Sequence, residues 1–280
     1  MRQTSPVHAR SALFDLYGDH LRSRGDRAPV ASLVRLLAPL DIAAPAVRTA
    51  VSRMVRQGWL EPVRLAAGPG YQLTDRARTR LDEAGARIYR TRTKPWDGCW
   101  DLLVLGQVAQ RSSRERIRSG LAFLGYAPLS DSTWISPFPS EEVASVLAPE
   151  EADVHRFTAR DADPTQRAQQ AWDLDGMDAA YATWLDFARG LVEGSSPPRD
   201  DEQAFAVRSV LVHEWRKFLF TDPGLPDELL PESWAGHAAG RFFAEEAARL
   251  LPAASRFVDA CLSDPDQPTD QPTDQPGAAR

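Results

Sequence analysis

Cysteine is nearly missing from this sequence: Cys99 and Cys261 are the only two, and they lie in different regions of the chain. No disulfide framework or clustered thiolate metal site can be built from them, which fits a reducing compartment. Histidine is sparse as well. His8, His20, His155, His213 and His237 are scattered, and no pair has the i, i+4 spacing of helical metal ligands. No metal and no cofactor is therefore expected. Lysine occurs twice, at Lys94 and Lys217, among 33 basic residues, a skew of the kind a G+C-rich bacterial genome produces. The longest apolar stretch, Leu102 to Gly106, falls far short of the roughly 20 residues that a membrane helix needs. The opening MRQTSPVHAR lacks the apolar segment of a secretory signal. Together these absences predict a cytoplasmic protein.

What is present describes a globular chain of 280 residues, 43% hydrophobic and 26% charged, with a mean hydropathy of −0.38. At roughly 100–200 residues per domain, this length corresponds to two or three domains. The formal charge of −6 argues against a nucleic-acid binder if the charge is spread evenly. It is not. Residues 1–95 hold 17 Arg and Lys against 8 Asp and Glu, a balance of +9, whereas residues 96–280 hold 16 against 31, or −15. A basic head on an acidic body points back towards nucleic acid.

The head, residues 1–95, reads as three helices, a hairpin and a further helix. Leu13, Phe14, Leu16, Tyr17 and Leu21 mark a first helix over Ser11 to Arg22. Pro29 opens a second, with Val30, Leu33, Val34, Leu36 and Leu37 turned inward. After Pro39 and the connector DIAAP, Pro45 starts a third helix that runs to about Gln57, with Gly58 just past its end. WLEPVRL and YQLT are two short strands joined by AAGPG, and Thr74 or Asp75 caps a helix to about Arg90. This order is that of a winged helix-turn-helix.

The third helix carries the function. Val47, Ala50, Val51, Met54 and Val55 form its core stripe at i, i+3, i+4, i+7 and i+8. The other face presents Arg48, Thr49, Ser52, Arg53, Arg56 and Gln57, and residues 42–60 contain no Asp or Glu. A merely solvated helix face normally mixes both signs. Guanidiniums bond bidentately to guanine, and hydroxyls hold phosphates or base edges. Arg48, Thr49, Ser52 and Arg53 lie early on the helix, where bases are read; Arg56 and Gln57 are placed to meet phosphate.

Residues 96–165 follow a different rhythm. WDLLVLGQV, YAPL, STWIS and DVHRFTA read as strands, with helices over Ser112–Leu124 and from Pro139 and Ser140 to about Leu147. That βαββαβ order is the ferredoxin-like pattern. Residues 166–263 form a helical C-terminal domain, which reads as all helix from about Trp172: Asp175 to Glu193, Glu202 to Phe220, and a third helix capped by Ser233 that ends near Leu251. Residues 264–280, with PDQPTDQPTDQPG, form a low-complexity tail expected to be disordered. The fold class is thus α+β multidomain.

Several strings occur together and in order: LFDLYGDHL, VRTAVSRMVRQGWLEP, YQLTDRA, RIYR, WDGCWDLLVL and LVHEWRKFLFTDPGLPDELLPESWAGHAA. From about residue 11 to 250 the chain thereby resembles the PaaX family of bacterial transcriptional repressors. The resemblance implies a winged helix-turn-helix, a ferredoxin-like central domain and a helical C-terminal domain. It also implies repression of an aromatic-catabolism operon of the phenylacetate type, with release from operator DNA by an aryl-acyl-CoA such as phenylacetyl-CoA. One departure stands out: the wing tip AAGPG carries only Arg64 nearby, where the family usually has basic residues. The partners expected are double-stranded operator DNA, an acyl-CoA effector and a second copy of the chain.

Two groups are candidates for the effector. Arg114 and Arg118 lie four apart on one helical face and suit the phosphates of an acyl-CoA, although a solvated face beside Glu115 is the simpler explanation. His213, Trp215, Arg216 and Lys217 lie on the second C-terminal helix, where they either line a pocket or cap the DP connector. Trp96, Trp100 and Trp134 read as packing residues. The rival reading is enzymatic. The ferredoxin-like domain is similar to that of a small CRISPR-associated nuclease that uses an aspartate at the end of its first strand for metal. Here Asp101 begins that strand and LGQV ends it, so no catalytic residue is assigned.

Overall fold

The computed structural model describes residues 8–88, 95–195 and 197–263. The repeat from Asp264, expected to be disordered, lies outside them, as do the last residues of the helix expected to reach Arg90.

The head begins with α1 (Ala9–Leu16), which does not run unbroken to Arg22 as its apolar spacing predicts. The chain widens into a π turn over Tyr17–Leu21 and then tightens into a 3-10 turn over Arg22–Arg24. The wider turn keeps both Tyr17 and Leu21 buried and lets the Tyr17 hydroxyl donate to the Tyr71 carbonyl at 2.9 Å. Strand β1 (Arg27–Pro29) follows, then α2 (Val30–Leu37), α3 (Ala44–Arg56), β2 (Leu60–Leu65), β3 (Gly68–Leu73) and α4 (Asp75–Ile88). Gly58, at φ 70, ends α3 in the left-handed conformation its position predicts. The Thr74 hydroxyl accepts from the Ala77 amide at 3.3 Å and so caps α4.

The hairpin is longer than expected: only Ala66 and Ala67 turn, and Gly68, Pro69 and Gly70 extend β3. Strand β3 is central, flanked by β2 and by β1, which was too short to announce itself by alternation. Gly70 is required where β1 crosses it, since a Cβ there would stand 2.7 Å from the Ala28 carbonyl oxygen.

The middle of the chain runs β4 (Trp100–Leu105), α5 (Arg111–Phe123), β5 (Ala127–Pro128), β6 (Thr133–Ser136), α6 (Val143–Leu147) and β7 (Val154–Ala159). Its sheet has the order β5-β6-β4-β7, antiparallel throughout, which is the ferredoxin-like arrangement. Leu103, Ile117, Leu121, Tyr126, Trp134, Val143 and Leu147 fill the space between sheet and helices. Helix α6 starts at Val143 and not at Pro139 or Ser140. Ser140 is held elsewhere: its amide donates to the Tyr126 hydroxyl at 3.3 Å, and its carbonyl accepts from Arg156 at 3.2 Å.

The remainder is helical. Helix α7 (Pro164–Ala171), not anticipated, is capped by the Asp163 side chain; α8 (Leu174–Glu193) and α9 (Asp201–Trp215) are capped likewise by Asp173 and Asp200. A 3-10 turn over Arg216–Phe220 continues from α9, where a single helix to Phe220 was expected. The last helix, α10 (Ala235–Leu262), corrects both of its expected ends. Trp234 and not Ser233 precedes it, and it passes through Pro252 for a further ten residues beyond it to Leu262. Proline in a helix interior costs about 3 kcal/mol. Burial of Ala254, Val258 and Cys261 beyond it offsets that cost.

Those three residues, with Phe205 of α9, lie in the same core as Leu13, Leu33, Val47 and Met54 of the head. A second core gathers Tyr181, Trp184, Leu211, Trp234 and Phe243 with Trp100 from the sheet. Trp96 stacks edge-on against Trp100 at 5.1 Å, and Trp134 is buried in the sheet core, so the three tryptophans pack as expected.

Candidate nucleic-acid interface

Helix α3 buries Val47, Ala50, Val51 and Met54 against the head core and thereby turns its other face outward. Arg48, Thr49, Ser52, Arg53, Arg56 and Gln57 are all exposed on that face. The two hydroxyls bond back to carbonyls four residues earlier, Thr49 to Pro45 at 2.9 Å and Ser52 to Arg48 at 3.0 Å. Among the described residues, Arg48, Arg53 and Arg56 have no ion-pair partner.

Other arginines of the head behave differently. Arg22 pairs with Asp26 and Asp82, Arg78 with Asp26 and Asp75, and Arg24 with Asp259 at 2.6 Å. Arg35 donates to the Cys261 carbonyl. These guanidiniums hold the fold together, whereas those of α3 face solvent without an ion-pair partner among the described residues. An open groove beside α3 is walled by His8, Ala9 and Arg10 on one side and by Thr49, Arg53, Arg56 and Gln57 on the other. Arg10 was not singled out from the sequence; its proximity depends on how α1 crosses α3. Arg64 is exposed on β2, two residues before the turn.

The candidate effector residues fall in separate places. Arg114 and Arg118 share a cavity of about 640 Å³ with Arg111, Gln107, Asp131 and Trp134, at the start of α5. Trp215 lines a different cavity of about 480 Å³, walled by Tyr181, Phe218, Trp234 and Leu225 and closed on one side by Ile88 of α4. Tyr181 and Phe218 stack at 4.0 Å, and Trp215 stacks on Phe243 at 4.7 Å. The Trp215 indole donates to the Ile88 carbonyl at 3.0 Å. Arg241 and His237 stand among the lining residues, His237 with Asp227 at 3.0 Å. Burial pushes the Tyr181 hydroxyl well above the ordinary phenol range, and Asp222, which accepts its hydrogen bond, adds to this. That hydroxyl therefore stays a donor.

His213 and Arg216 are not among the residues lining that cavity. They reach the head: His213 Nδ1 lies 2.7 Å from one oxygen of Asp15 on α1, and Arg216 Nε lies 2.8 Å from the other. In the π turn that follows α1, Asp19 meets the buried Arg208 of α9. Lys217 pairs locally with Glu214 at 2.6 Å.

Asp101 is buried and committed to structure. Arg156 donates to both of its oxygens, at 2.7 and 3.0 Å, and the Tyr126 hydroxyl donates to it as well. Strand β4 itself ends at Leu105, followed by Gly106 and Gln107, without a carboxylate. Among the described residues no group of three His, Cys, Asp or Glu could hold a metal ion. No described helix is long and apolar enough to cross a membrane.

Comparison with known proteins accounts for almost the whole chain. Residues 8–77 match the family described as PaaX-like protein, residues 93–171 the PaaX protein central Cas2-like domain, and residues 172–260 the PaaX-like protein C-terminal domain. The chain is 33% identical over 268 residues to the Transcriptional repressor PaaX of Escherichia coli (strain K12), covering 90% of this chain and 84% of that protein. That relative is named as a regulator and not as an enzyme. Among solved structures, the uncharacterized protein Rv0674 from Mycobacterium tuberculosis is similar at 28% identity and a TM-score of 0.61, over 90% of this chain and 98% of the other. With this ordered agreement across all three regions, the chain belongs to the PaaX family.

Proposed function

We propose that this protein is a sequence-specific transcriptional repressor whose head, residues 1–95, binds operator DNA as a winged helix-turn-helix. The observation that carries the reading is the outward face of α3, with three arginines that have no ion-pair partner among the described residues, beside two hydroxyls and an amide. Arg48, Thr49, Ser52 and Arg53 would read base edges in the major groove, Arg56 and Gln57 would hold phosphate, and Arg64 would add a single wing contact. The acidic body, residues 96–263, stays off the duplex by repulsion.

The operon class is that of aromatic catabolism, phenylacetate type, and the releasing effector is an aryl-acyl-CoA, with phenylacetyl-CoA as first candidate. Family membership and the cavity around Tyr181, Trp215 and Phe218 support this: its stacked rings suit an aryl group. Arg241 at that cavity, and Arg114 and Arg118 at the start of α5, are the guanidiniums offered to phosphates. The active species is a cytoplasmic homodimer. Strand β7 supports it, being an open sheet edge that exposes Phe157 (52%) and Val154 (37%). A two-fold pair of heads would read half-sites about 34 Å, or a multiple of that, apart.

The test is selection of bound duplexes from a random pool, followed by fluorescence anisotropy with and without phenylacetyl-CoA. Recovery of a two-fold sequence whose binding the thioester weakens supports the reading. Binding that shows no sequence preference, or none that phenylacetyl-CoA changes, overturns it.

A further inference from the structure

The aromatic cavity and the DNA-binding head are built on the same six residues. From 213 to 218, two pairs of residues, each three apart, face in two directions. His213 and Arg216 hold the two oxygens of Asp15 in the head, at 2.7 and 2.8 Å. Trp215 and Phe218, between and after them, form the wall of the cavity. The helix changes character within this stretch, α9 ending at Trp215 and the 3-10 turn beginning at Arg216. Trp215 also holds the end of α4 through the Ile88 carbonyl, so both helices that enclose the head's sequence are tied to this segment.

Asp15 lies on α1, the helix that forms one wall of the groove beside the exposed face of α3. Its carboxylate is largely buried, at 10% exposure, and both of its oxygens are taken by groups from the body. A body that moved the 213–218 segment would have to move or release α1. Packed interfaces of this kind switch between discrete arrangements and do not deform continuously.

We propose that Asp15, clasped by His213 and Arg216, is the residue that couples the aromatic cavity to DNA binding. In the clasped state α1 and α3 are set for operator DNA. A ligand seated against Trp215 and Phe218 favours the state in which the 216–220 turn has shifted and the clasp is open. The proposal rests on the effector reading given above and adds the route by which the effector acts. A ligand shifts such an equilibrium only by its differential affinity for the two states, and the coupling is reciprocal.

Reciprocity makes the test quantitative. In the full-length protein, Asp15→Asn removes the charge that both partners hold, and Arg216→Gln opens the clasp from the less buried side. Operator affinity by anisotropy and phenylacetyl-CoA affinity by calorimetry are measured for each, with circular dichroism to confirm folding. The expected result is weaker operator binding without ligand, tighter ligand binding by a similar factor, and at least a tenfold smaller effect of ligand on operator affinity. If either variant folds and phenylacetyl-CoA still weakens its operator binding by the wild-type factor, the clasp is structural only and the proposal is overturned. Failure of the effector reading shows separately, in wild-type protein whose operator binding phenylacetyl-CoA leaves unchanged, and it removes the proposal with it.

Discussion

Arg208 of α9 and Asp19 of the π turn that follows α1 meet in the buried seam between body and head, each below a tenth of its side-chain exposure. The guanidinium also donates through Nε to the Ala247 carbonyl at 3.0 Å, which fixes its orientation on α10. Burial lowers its affinity for the proton, to about 10. Removing one member of such a pair is far costlier than the pair is stabilising. Arg208→Met is expected to destabilise the protein by about 3–5 kcal/mol. Urea unfolding would measure this, and a loss below about 1 kcal/mol would show that Asp19 needs no guanidinium.

Operator binding should depend on the outward arginines of α3. Arg48→Ala and Arg53→Ala are each expected to cost about 1–3 kcal/mol in specific binding, roughly ten- to a hundredfold. Arg56→Ala should weaken binding to all duplexes alike and flatten its salt dependence. Mobility-shift titrations with unchanged affinity for both Arg48→Ala and Arg53→Ala would remove α3 from the interface.

Stability should fall on mild acidification because of His20. This side chain is buried at 2% exposure, packed 5.2 Å from the Phe205 ring, and held neutral first by burial and then by the charge of Arg24. Its folded value of about 4 lies below the ordinary 6.5, so the unfolded chain takes up a proton that the folded chain refuses. Stability from this group is complete above pH 6.5 and drains away towards pH 4, by about 3 kcal/mol in total. Urea midpoints at pH 7 and 4.5 should therefore differ less in His20→Gln than in wild type. An equal difference in both proteins would place the acid sensitivity elsewhere.

Dimerisation should depend on β7. Phe157→Glu, on the open edge strand, is expected to turn a micromolar dimer into a monomer by sedimentation velocity while leaving helicity unchanged. A wild-type chain that sediments as a monomer, with and without operator, would refute the two-fold reading of half-sites.

Incubation with DNA and either magnesium or manganese should leave the strands intact. Asp101 is occupied by Arg156 and Tyr126, and the end of β4 offers no ligand of its own. Metal-dependent cleavage that survives repurification would reopen the enzymatic reading.

The elements most legible in the sequence are those whose pattern is local. The stripe Val47, Ala50, Val51, Met54 specified both α3 and its outward face, and four short apolar runs marked the strands of the βαββαβ element order. What escaped the sequence depends on distant neighbours. Strand β1 has three residues, too few to show a period. Pro252 is a local stop signal that tertiary burial overrides. The clasp of Asp15 by His213 joins residues 198 apart, and nothing in either neighbourhood announces it. The charge split was legible, but which arginines are free was not, because that depends on carboxylates such as Asp82 and Asp259 arriving from elsewhere.

Helix α10 has a consequence for how such a protein can be altered. Its first half belongs to the aromatic body, and its last three turns complete the core of the head. The seam between head and body therefore runs along a helix instead of through a loop. A head cut out at residue 95 would leave Leu33, Val47 and their neighbours without the Ala254, Val258 and Cys261 side chains that cover them. Grafting this head onto another regulator, or another head onto this body, would require α10 to be re-matched at the same time. Under the function proposed above, operator specificity is best changed on the surface of α3, residue by residue, and not by exchange of parts.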